Sequence, residues 1–296
     1  MRKDFGQSDL KLVLRYDELM KRYHPYELSY LTPKQWREIP LNLLRFDLKR
    51  SWLNDCLDQV KAELKQKNIK PFFHAWVSDE WFSPDGCPGI AIPYYLFHPA
   101  LIKLNKQNNL PVEGVTKTKA LQLIRHEVGH AIENAWRLRR KKTRQQLFGL
   151  SSTRYPEIYT PCPRSTDYVE HLGEGYSQSH PDEDWAETFA LWLSTSKRTW
   201  NKKYKGTKAL EKLLYCETLM SEIAGTKPLN SEKFVVSPIE DRSITVGQLI
   251  DRNVAARAKT VVKAVRMTKK SPIISNPDIL KQAHVLLEKK GLGFLM

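Results

Sequence analysis

The stretch His126-Glu-Val-Gly-His130, set inside the apolar-periodic run from Thr118 to Trp136, constrains this chain more than any other feature. An α-helix carries positions i and i+4 on one face about 6 Å apart, so His126 and His130 project side by side. Two imidazoles so placed can bind one metal ion at about 2.0–2.1 Å each, which points to Zn2+. Glu127 lies about 100° round the helix, where its carboxylate reaches a water on the metal without ligating the metal itself. The competing reading is an exposed turn that happens to carry two histidines. The flanks argue against it: Leu121, Leu123, Ile124, Val128, Ala131, Ile132 and Ala135 form a broad apolar stripe, and Thr116 or Thr118 can cap the start. A mid-helix glycine costs about 1 kcal/mol relative to alanine, so Gly129 implies close approach of another backbone.

A catalytic zinc site takes three protein ligands and keeps a fourth position open. The pattern that would place a third histidine six residues after His130 fails, because Glu133 and Trp136 occupy its glycine and histidine positions. The next acidic, aromatic-rich segment runs from Tyr176 to Leu193. Pro181 starts a helix at its favoured first position, and Asp182, Glu183 and Asp184 suit its positive end. Glu183 and Glu187 then share a face. One carboxylate can ligate the metal while the other accepts a hydrogen bond from the far nitrogen of a ligand histidine. Trp185, Phe189, Trp192 and Leu193 form the packing face. His180 is a rival third ligand or an oxyanion donor, while His24, His74, His98 and His171 have no spacing that recommends them. An ordinary helix also collects acids in its first turn, so this segment gains its force only from the histidine motif before it.

Together, His126-Glu-Val-Gly-His130 and Ser179-His-Pro-x-Glu-Asp-Trp-Ala-Glu-Thr-Phe-Ala190 resemble the zinc-binding metallopeptidases of bacteria, of the glutamate-zincin type. The resemblance covers the chain from Leu121 to Leu193. It implies a zincin-like core, Zn2+ as cofactor, a peptide or protein substrate, Glu183 as the third ligand and Glu187 as support for a ligand histidine. Lethal-factor-like relatives place a tyrosine seven residues before the ligand glutamate, near the reacting carbonyl, and Tyr176 stands at that spacing. Asp182 departs from the family, which prefers an aromatic there, and so does the long basic C-terminal part.

These residues permit metal-assisted amide hydrolysis, with Glu127 as general base and Tyr176 as a donor to the developing oxyanion. Upstream, Phe72–Val77 and Gly89–Phe97 read as strands separated by Ser-Pro-Asp-Gly-Cys-Pro-Gly turn chemistry. Either a structural hairpin or a sheet edge that takes up an extended substrate follows, and Pro93 favours an edge. The expected fold is therefore α+β and mostly helical: a zincin-like core with a small mixed or antiparallel sheet and an active-site helix. It divides into a helical region 1–70, a catalytic domain 71–200 and a basic helical region 201–296.

No apolar run is long enough to span a bilayer, and the N-terminus lacks a signal-peptide core. Cys56, Cys87, Cys162 and Cys216 form no Cys-x-x-Cys pair and read as reduced thiols, which suggests the cytoplasm. The net charge is +15, of which residues 201–296 carry 18 basic against 9 acidic groups. Helices are expected over Tyr16–Tyr30, Phe46–Leu64, Thr207–Ala224, Thr245–Thr268 and Asp278–Lys290. Arg252, Lys259, Lys263 and Arg266 fall near one face of the fourth. Contact with nucleic-acid phosphates is the alternative function this suggests, although a solvated basic face is the commoner outcome. The run Arg137–Arg144 reads in part as favourable charge at a helix C-terminus.

Overall fold

The computed structural model describes residues 23–156 and 159–270, with side chains through residue 259. Its helices, in chain order, are α1 (Pro33–Glu38), α2 (Trp52–Gln66), α3 (Pro99–Gln107), α4 (Lys117–Trp136) and α5 (Lys142–Phe148). They continue with α6 (Pro181–Ser194), α7 (Lys197–Lys203), α8 (Lys208–Ile223) and α9 (Val246–Lys270), and two strands, β1 (His74–Ser78) and β2 (Gly89–Pro93), lie between α2 and α3. The helix expected over Tyr16–Tyr30 is, where described, a short 3-10 turn at Pro25–Leu28, punctuated by Pro25. Its first part, the helix expected at Asp278–Lys290 and the side chains of Lys263 and Arg266 lie outside the described residues. Arg252 and Lys259 are exposed. Among the described residues, no helix is long and apolar enough to cross a membrane.

Two compact units emerge, each discontinuous in sequence. One contains Tyr94–Val112 and the described parts of residues 1–47 and 237–296; the other contains Leu48–Pro93 and Glu113–Val236. In the first, the chain entering α9 pairs with the chain leaving α1: Val246 N–H donates to Ile39 O at 2.9 Å and Leu41 N–H to Ile244 O at 3.0 Å. Trp36 is fully buried there and stacks on His98.

The second unit is built round α4. Thr116 caps this helix by accepting from Lys119 N–H, and α4 packs against α2, α6 and β2. Arg125 on α4 holds Glu63 on α2 in a two-pronged ion pair at 2.7–2.8 Å. Helix α6 begins at Pro181 behind its cap residue His180, and Trp185, Phe189, Trp192 and Leu193 are all buried.

The sheet corrects one expectation. β1 and β2 pair in parallel, from His74 opposite Gly89 to Ser78 opposite Pro93, so neither a hairpin nor an antiparallel sheet is formed. Every residue of β2 is buried, as parallel strands usually are. The turn-like residues between the strands serve another purpose. They return the chain into β2 from Phe82, which makes an antiparallel bridge to Ala91. The following turn is pinned to α4 by Asn134, whose amide donates to Pro84 O and Cys87 O and accepts from Gly86 N–H. β2 therefore has neighbours on both sides, and Pro93 marks its end.

A candidate metal centre between two helices

Burial dominates the chemistry where α4 meets α6. His126, Glu127, His130, Glu183 and Glu187 are all buried. Such polar groups survive away from water only when they are paired or bind an ion. His126 and His130 project from α4 with ring centroids 5.0 Å apart, and Glu183 approaches both from the first turn of α6. Its Oε2 lies 3.0 Å from His126 Nε2 and 3.4 Å from His130 Nε2. Donors about 2.0–2.1 Å from a tetrahedral zinc stand about 3.3–3.4 Å from one another. All three ligand atoms fall within 4.8 Å of each other. The spacing and the two-imidazole, one-carboxylate donor set thus fit Zn2+ without rearrangement of the helices.

Glu187, one turn along α6, approaches His126 from the opposite side. Its Oε1 accepts from His126 Nδ1 at 2.9 Å, while its Oε2 accepts from the backbone N–H groups of His171 and Leu172, both at 2.9 Å. Three bonds fix this carboxylate, and both nitrogens of His126 face carboxylates, Nδ1 that of Glu187 and Nε2 that of Glu183. Burial opposes charge on His126, but the bonds to Glu183 and Glu187 overcome it and raise its pKa. Burial also works against ionisation of Glu183, yet the two histidines hold its carboxyl well below the ordinary range. For Glu127 burial wins, and its pKa is pushed up despite the neighbouring imidazoles.

Two tyrosines close on the same carboxylate. The Tyr176 ring tilts against His126 at 5.5 Å, and its hydroxyl lies within the field of Glu183. Tyr155 donates to Glu183 Oε1 at 2.8 Å and stacks on His180, ring centroids 3.6 Å apart and nearly parallel. Burial, then the charge of Glu183, raises the pKa of both phenols, so both keep their protons at neutral pH. His180 has both ring nitrogens committed: Nδ1 accepts from Asp182 N–H as the cap of α6, and Nε2 meets Thr153 O at 2.7 Å. It orders the surroundings of Glu183.

Beneath the site lies an ion network that sequence reasoning missed. Arg144, fully buried, donates to Glu133 at 2.7 Å and to Asp182 at 2.7 Å. Arg139 donates to Glu133 from the other side at 3.0 Å. Both arginines belong to the run read as helix-end charge, and both are instead spent tying the end of α4 to the start of α6. Glu133 was the available signal, since an acid in the helix's last turns, beside an apolar stripe, needs a cation. Tyr155 had no such signal, lying in an aperiodic segment.

Residues 118–244 match the family described as "Putative zinc-binding metallo-peptidase". No curated protein and no solved structure matches the chain. The family stretch contains the two histidines, the three glutamates and both tyrosines of the site, as well as Glu133, Arg139 and Arg144. It begins after β1, β2 and the Phe82 bridge, which the chain supplies from outside the family region.

Proposed function

We propose that this chain is a zinc-dependent endopeptidase with a zincin-like core. The observation that carries the reading is the convergence of ligand atoms of His126, His130 and Glu183 within 4.8 Å of one another, with Glu127 lining the same cleft. When bound, Zn2+ would polarise the scissile carbonyl and make its water acidic enough to react at neutral pH.

The chain's own residues would do the rest. Glu187 holds His126 in the tautomer that offers Nε2 to the metal. Glu127 takes the proton of the attacking water and passes it to the leaving nitrogen. Its raised pKa moves it towards the value suited to both tasks. Tyr176 keeps its proton and donates a hydrogen bond to the oxygen that gains charge. His180 and Tyr155 hold Glu183 in place. The four cysteines are free thiols, which agrees with a reducing cytoplasm.

The deciding experiment pairs metal content with peptide cleavage. Glu127→Gln should retain about one zinc per chain and lose roughly 10²–10⁴ in cleavage rate. Glu183→Ala should lose its zinc to a mild chelator wash, and Glu187→Ala should bind zinc about 10–100-fold more weakly. Cleavage by Glu127→Gln at the wild-type rate would sink the reading.

A further inference from the structure

Among the described residues that line the cleft, Arg139 alone carries a permanent positive charge. It reaches the cleft by a sharp reversal: Arg137 closes α4 in the left-handed conformation, φ 54°, and the 3-10 turn Leu138–Arg140 follows. The Arg139 Nε donates to Glu133 at 3.0 Å, Nη2 lies 3.5 Å from Asp182, and Nη1 is paired with Asp85. A guanidinium has five N–H donors, so these contacts leave capacity to spare.

Charge accounting separates the three acids. Glu133 and Asp182 are buried and shared with Arg144, which makes a neutral set of two guanidiniums and two carboxylates. Asp85 is the fifth charge, and its side chain is 88% exposed. An ion pair that exposed is weak and exchanges readily with solvent. The backbone around Asp85 is nevertheless fixed, because Asn134 grips Pro84, Gly86 and Cys87. Two further donors belong to the same wall. Trp81 Nε1 and Ser83 Oγ are buried and have no hydrogen-bond partner among the described residues. An acceptor oxygen that reached either of them would pair it.

We propose that Arg139 forms a subsite for a carboxylate of the peptide substrate, with the Asp85 side chain as its exchangeable occupant. The inference rests on the peptidase reading above. The exchange conserves charge: Asp85 turns out to water as a substrate carboxylate takes its place on the guanidinium, which suits that planar, two-pronged partner. The carboxylate has two sources. It is the substrate's C-terminus, in which case the enzyme trims chain ends, or an Asp or Glu side chain at a fixed distance from an internal cut.

The test offers the zinc-loaded protein a random-sequence peptide pool in two forms, with free and with amidated C-termini, and maps the cuts by mass spectrometry. Cleavage at least about tenfold slower in the amidated pool identifies the C-terminus as the source. Equal rates with Asp or Glu enriched at one position identify a side chain. Equal rates without acidic preference overturn the subsite while leaving the peptidase reading intact. No cleavage of either pool overturns both. Arg139→Gln would leave the buried Glu133–Asp182–Arg144 cluster one cation short, so the surface variant Asp85→Asn carries the second arm. It should lower KM for the preferred peptides about threefold or more at unchanged zinc content, and an unchanged KM overturns the proposal.

Discussion

Asp182 stands next to the proposed ligand Glu183 but directs its carboxylate away from the metal centre, onto Arg144 and the Ser151 hydroxyl. Burial opposes its ionisation, and Arg139, Ser151 and Arg144 overcome that and hold its pKa below the ordinary 3.8. A depressed acid contributes stability at every pH above its ordinary value and loses it as pH falls through the folded one. Asp182→Asn should therefore cost roughly 3 kcal/mol at pH 7, measured by urea unfolding, with the gap to wild type shrinking below about pH 3.8. A gap that stays constant across that range would place Asp182's effect outside its charge. At this scale the sequence was legible where a motif carries its own geometry. His126, Glu127 and His130 share one helical turn and its neighbour, Glu183 and Glu187 another, and the structure brings all five together with Tyr176. Arg139, Arg144 and Tyr155 could not be read, because their partners are set by tertiary approach and no local period announces it.

The two site helices touch most closely at Gly129. A Cβ there would lie 2.9 Å from Ala186 Cα and 3.2 Å from Ala186 O, so backbone faces backbone, as the cost of a mid-helix glycine implies. The contact is fastened by Trp185 Nε1, which donates to Gly129 O at 2.8 Å. Gly129→Ala gains about 1 kcal/mol of helix propensity but must push α4 and α6 apart, and overpacking of this kind costs about 1–3 kcal/mol. The expected net result is a less stable protein that binds zinc more weakly, since the histidines ride on one helix and Glu183 on the other. Calorimetric zinc titration checks it, and affinity equal to wild type would show that the helices reseat without moving the ligands. Helix ends were readable from Thr116, Pro181 and Thr207, whose chemistry is local. Strand direction was not, because turn residues between two apolar runs suit a hairpin equally well. Only the Phe82 bridge and the grip of Asn134 reveal what that turn is for.

At the scale of the molecule, the site belongs to one of the two compact units, and its pieces come from chain on both sides of the Tyr94–Val112 segment. A metal that binds only the folded state adds stability by mass action, about 4 kcal/mol at a thousandfold excess over Kd. Scanning calorimetry should accordingly find the zinc-loaded protein melting about 10 °C above the chelated one. Identical melting curves would mean that no metal joins α4 to α6. The net charge of +15 finds no comparable expression in the site, where the carboxylates of Glu127, Glu133, Glu183, Glu187 and Asp182 outnumber the guanidiniums of Arg139 and Arg144. The discontinuity also bears on how such a chain can be dissected genetically. The family stretch starts at residue 118, whereas Trp81, Ser83 and Asp85, one wall of the cleft, are encoded upstream of it. A gene trimmed to the matched portion would specify the candidate metal ligands but not the wall of the cleft that Trp81, Ser83 and Asp85 build, and failure of such a fragment would say nothing about the full chain.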